Sequence, residues 1–79
     1  MTREAVLEKL EDIFRDVFDD EDISINEDTL PDDIEEWDSI GHVYLITEVE
    51  EEFKIDLSKE GAAIDSVRGF IDIIMDKMK

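Results

Sequence analysis

Val6, Leu7, Leu10, Ile13, Phe14, Val17 and Phe18 recur at three- and four-residue steps. That spacing places them on one stripe of a helix over residues 3–18. Thr2 stands where such a helix needs an N-cap. The pattern stops at Asp19-Asp20-Glu21-Asp22, four acids that oppose the negative end of a helix dipole. Residues 19–37 then form a long connection, polar but studded with Ile23, Ile25, Leu30, Ile34 and Trp37. A loop of that length in a small domain is expected to pack or to function. Its spaced apolar residues are therefore expected to lie across the helices and plug the core, with Pro31 opening a short helical turn.

A second helix is expected over 39–53, with Asp38 as its N-cap. Beyond it, Ser58 is positioned to cap one turn through Glu60. Little pins Gly61-Ala62-Ala63, so segment 58–64 is expected to be among the most mobile parts. The last helix begins at Asp65 or Ser66 and turns Val67, Phe70, Ile71, Ile74 and Met78 inward. No segment reads convincingly as a strand. The expected architecture is all-α: one domain over 1–79, a small four-helix bundle with a long first loop and a short third helix.

The second helix has two apolar faces. Advancing 100° per residue gathers Leu45, Ile46, Val49 and Phe53 on one side and Ile40, Val43, Tyr44 and Thr47 nearly opposite. A helix in a small bundle cannot bury both. The second set, bordered by Glu48, Glu50 and Glu51, is expected to face solvent as a docking surface unless the connecting loop covers it.

Charge narrows the choice of partner. Eight basic residues against 25 acidic ones leave a formal net charge of −17. Such a surface repels nucleic acid and anionic membranes and attracts basic patches on proteins. With 42% hydrophobic residues the chain is too apolar for a disordered acidic tail. There is no cysteine, hence no disulfide, and no apolar run approaches the ~20 residues that span a bilayer. The first residues lack the pattern of a signal peptide. A soluble cytoplasmic monomer is expected.

Ser39 is the residue with candidate chemistry. It falls in the first turn of the second helix, where free N–H groups and the positive dipole end favour a phosphate. His42, the single histidine, lies three residues on, but it points closer to the core stripe and no glycine-rich oxyanion loop accompanies it, so a hydrolase is not expected. A calcium loop fails in both registers. Counting from Asp20 puts Ile25 sixth and Pro31 twelfth; counting from Asp22 puts Glu27 sixth and Asp33 twelfth. No catalytic residue and no specific metal ligand are assigned.

The whole arrangement resembles the acyl carrier protein family. The matching features are Asp38-Ser39-Ile40 opening the second helix and Glu50-Glu51-Glu52-Phe53-Lys54-Ile55 at its end. The acidic charge, the first amphipathic helix, Leu30-Pro31 in the long loop and Asp65-Ser66-Val67 before the last helix also match. The resemblance implies a carrier rather than an enzyme. Ser39 would accept 4′-phosphopantetheine from coenzyme A by the action of a phosphopantetheinyl transferase, and the arm's thiol would hold an acyl group as a thioester. Asp38 would be the motif acid and helix cap. Partners would be enzymes that transfer or modify the acyl group and use basic patches of their own to grip the second helix at Ile40, Val43, Tyr44, Thr47, Glu48, Glu50 and Glu51.

Carriers of fatty acid synthesis commonly have acids two and five residues after the serine. Here those positions hold Gly41 and Tyr44. The departure points to specialised lipid or secondary-metabolite biosynthesis more than to housekeeping fatty acid synthesis. Core side chains including Phe14, Leu45, Ile46, Phe53, Ile71 and Ile74 are candidates to part around a fatty chain. The rival reading is an acidic helical adaptor that binds a basic protein without any cofactor. It shares the charge and the patch but leaves Asp38-Ser39-Ile40 unexplained.

Overall fold

A computed structural model describes residues 2–78. Three α-helices, α1 (Arg3–Phe18), α2 (Ser39–Phe53) and α3 (Val67–Lys77), enclose one apolar core. Each start is set by a side chain that satisfies a backbone N–H left free by helix geometry. Thr2 Oγ1 accepts from Ala5 N–H at 3.1 Å, Asp38 Oδ1 from Gly41 N–H at 2.8 Å, and Ser66 Oγ from Gly69 N–H at 3.0 Å. The first two helices end in left-handed residues that are not glycine, Asp19 (φ 51°) and Lys54 (φ 55°).

The long connection lies across the helices as expected. Ile23, Ile25, Ile34 and Trp37 are buried with Leu10, Phe14, Leu45 and Phe70. The loop backbone is tied to α1: Glu11 accepts from Ile25 N–H at 3.0 Å, and Arg15 Nε donates to the Ile23 carbonyl at 2.7 Å. Its far end meets α3 where Val67 N–H donates to the Thr29 carbonyl at 3.1 Å.

Several expectations need correction. Leu30 is 49% exposed, because it precedes a 3₁₀ turn (Pro31–Asp33) whose Asp33 carboxylate caps the Leu30 N–H at 2.9 Å. Met78 follows the last turn of α3 and is exposed beyond the end of the core. Among the described residues the count of four helices also falls to three. In place of a third helix there is a single 3₁₀ turn, Gly61–Ala63, three residues later than the turn expected at Ser58. At that earlier point Asp56 takes the Ser58 N–H at 2.8 Å. Ile64 then extends (φ −73°, ψ 123°) to bury its side chain, which ends the turn. The segment is anchored by Gly61 N–H to the Leu57 carbonyl at 2.8 Å and by a Lys77–Glu60 ion pair at 2.8 Å.

A polar clamp closes the opposite side. Arg3 of α1 meets Glu27 of the loop at 2.6 Å and Asp72 of α3 at 2.8 Å, while Arg68 of α3 meets Asp28 at 3.0 Å. The hydrogen bond from Arg3 holds the Glu27 carboxyl below its ordinary range, against a smaller opposing effect of burial, and the charges of Arg3 and Arg68 add to the lowering. A lowered carboxylate contributes stability in full above its unfolded value of about 4.3, lost as pH falls through the folded value. Glu27→Gln should therefore lower the thermal midpoint at neutral pH. It should also flatten the loss of stability between about pH 5 and pH 3 relative to wild type, measured by circular dichroism melts across that window.

Candidate functional site at the start of helix α2

The Trp37-Asp38-Ser39 corner is built by steric necessity. The loop backbone passes so close to the first turn of α2 that a Cβ on Gly41 would sit 2.5 Å from the Glu36 carbonyl oxygen and 2.8 Å from the Phe18 ring. Only a hydrogen fits there. The approach drives Trp37 into the core while Asp38 and Ser39 stay exposed. With Asp38 serving as cap, the Ser39 side chain occupies the first helical position, at the positive end of a 15-residue helix.

Beside Ser39 lies an open cleft of about 510 Å³ between α2 and the segment before α3. Pro31, Val43, Ile46 and Ile64 supply apolar wall, and Asp38 and Asp65 supply charge. Its floor includes Trp37 and His42, which are joined. Trp37 Nε1–H donates to His42 Nδ1 at 2.9 Å, and His42 Nε2 lies 2.9 Å from the Gly61 carbonyl oxygen. The indole is only a donor and the carbonyl only an acceptor, so the imidazole carries its proton on Nε2. Both ring nitrogens are thereby occupied, and neither is free to take a proton from Ser39.

The outer face of α2 is uncovered. Ile40, Val43 and Tyr44 are 67%, 59% and 58% exposed, and Thr47 continues the strip with its hydroxyl donating to the Val43 carbonyl at 3.1 Å. The acids expected to border it divide. Glu51 is exposed. Glu50 is half-buried and accepts from Leu57 N–H at 2.7 Å, which ties down the chain after α2. Glu48 faces α1, lining a small charged cleft with Lys9, Asp12 and Glu52. Among the described residues no cluster of His, Cys, Asp or Glu is arranged to hold a metal, and no helix is long and apolar enough to cross a membrane.

Neither a protein-family model nor a curated protein matches the chain. A solved structure does: the solution structure of a holo acyl carrier protein from Geobacter metallireducens. It is 36% identical, with a TM-score of 0.82 over 91% of this chain and 84% of that one. This chain belongs to the acyl carrier protein family. Acyl carrier proteins carry acyl groups and are not catalysts, which agrees with the engagement of His42.

Sequence reasoning singled out Ser39 and the apolar strip but did not assign His42 or Gly61 to the site. Placing His42 near the core stripe was the available signal. Its two partners are five and 19 residues away in sequence, and no local pattern announces them. In this carrier the glycine two residues after the serine is a packing requirement. Gly41→Ala should destabilise the fold by about 1–3 kcal/mol through overpacking against backbone, measured by urea unfolding. Gly41→Asp should do at least as much.

Proposed function

We propose that Ser39 is the attachment point of a 4′-phosphopantetheine arm, through which the chain carries acyl thioesters. The observation that carries this reading is an exposed serine hydroxyl at the positive end of α2, at the mouth of an open apolar-walled cleft, in a chain of this family. The match in solved structures is a holo carrier, which supports the cofactor. The residues present suit it: free N–H groups in the first turn favour the phosphodiester, and the cleft accommodates an extended arm. In the loading step a bond forms between Ser39 Oγ and the phosphorus bearing the pantetheine. The pyrophosphate bond of coenzyme A breaks and releases adenosine 3′,5′-bisphosphate, while the hydroxyl proton passes to the transferase. The bound group supplies the thiol that this cysteine-free chain lacks.

Partner enzymes grip Ile40, Val43, Tyr44 and Thr47 and approach through basic surface. The net charge of −17 supports fast association with such partners at low salt. The strip favours a specialised pathway over housekeeping fatty acid synthesis. Where fatty acid carriers commonly place acids, this chain has a glycine that steric contact demands and an exposed tyrosine.

Intact mass after incubation with coenzyme A, magnesium and a broad-specificity phosphopantetheinyl transferase tests the reading. One added phosphopantetheine on wild type and none on Ser39→Ala is expected. No addition to folded wild-type protein would favour the cofactor-free adaptor instead. Val43→Asp should keep the fold and its melting midpoint while weakening transfer to a partner enzyme. Unfolding would show that Val43 is core.

A further inference from the structure

Resting on the carrier reading, we propose that this chain takes compact acyl groups held against its surface cleft, and that the Trp37–His42–Gly61 relay closes the bundle interior to long alkyl chains. A group tethered at Ser39 meets the cleft first. Of the residues that line the cleft, Trp37, His42, Ile46 and Ile64 stand between it and the core, and Trp37 and His42 are the pair held by hydrogen bonds.

That floor is cross-braced. The indole and imidazole planes lie within 16° of each other, and the indole N–H donates to the imidazole at 2.9 Å. The second imidazole nitrogen reaches across to the Gly61 carbonyl and ties the floor to the segment before α3. The Gly61 backbone packs closely on α2, where a Cβ would sit 2.8 Å from the Ile46 Cδ1. Turning either ring aside breaks hydrogen bonds between half-buried groups, which a hydrocarbon tail cannot replace.

Behind the floor stands a second layer. Phe14 meets Trp37 edge-on at 5.0 Å between ring centroids, and Phe70 lies 5.6 Å from His42 and 6.2 Å from Trp37. Phe14 and Phe70 are both fully buried. A core packed this way holds few voids that an inserted chain would fill. Entry of a long tail would have to separate aromatic rings that contact one another in a closed set. A short acyl group requires none of this, because Val43, Ile46, Ile64 and Pro31 already offer apolar wall beside the serine.

The test loads the protein by the same transferase from acetyl-, butyryl-, octanoyl- and palmitoyl-coenzyme A. The thermal midpoint and the amide shifts of Phe14, Leu45, Phe70 and Ile74 are then compared. Expected is a midpoint that does not change with chain length, with shifts confined to residues around Ser39, Val43 and Ala62. A midpoint that climbs from acetyl to octanoyl, with shifts at Phe14 and Phe70, would overturn the proposal. His42→Ala gives the complementary arm: with the brace removed, the octanoyl form should melt higher than the acetyl form and perturb the core amides. A folded His42→Ala protein without that difference also overturns it, and should the variant not fold, the wild-type series decides alone. Absence of any mass addition is a different failure, one that falls on the carrier reading itself.

Discussion

The burial of Trp37 is the constraint on which the rest of the structure depends. Three short helices cannot fill the space between them, and 79 residues leave little core to spare. The loop between α1 and α2 supplies the missing volume through Ile23, Ile25, Ile34 and above all Trp37. An indole carries a polar N–H that is costly to bury unpaired. Here His42 accepts it, and the imidazole passes the connection on to the Gly61 carbonyl. One aromatic residue thus joins the loop, α2 and the segment before α3.

The functional geometry follows from that burial. For Trp37 to turn inward the chain must run close over the first turn of α2, so residue 41 has no side chain. The same turn leaves Asp38 to cap the helix and Ser39 exposed next to the cleft. The outer strip of Ile40, Val43 and Tyr44 remains uncovered because the loop has been spent on the inner side. Site and core are two consequences of one corner in the backbone.

Charge is organised on the same frame. Most of the acids are solvated, but a few hold the fold. Glu11 and Glu50 accept backbone N–H groups from loop residues, and Glu27 with Asp72 engages Arg3. Glu50 shows why acidic residues on a helix do not form one class. It lies near the exposed apolar strip in sequence periodicity, yet its carboxylate serves the connection to Leu57. Exposed pairs of this kind add little individually, but the Arg3 clamp joins α1, the loop and α3.

Local pattern alone determined α1 and α2 with their capping residues Thr2 and Asp38, α3 with its start left between Asp65 and Ser66, the inner stripes as far as Ile74 and the two-faced character of α2, because these are local: they depend on spacing along a helix and on side chains three residues apart. The serine at the start of α2 was legible for the same reason. Tertiary structure alone decided that Leu30 turns outward, that the third helical piece shrinks to the 3₁₀ turn Gly61–Ala63, and that His42 bridges Trp37 and Gly61. It also decided that Gly41 answers to a carbonyl five residues earlier. These outcomes depend on which surfaces meet once the loop has folded over the helices, and contacts between distant segments leave no period in the sequence.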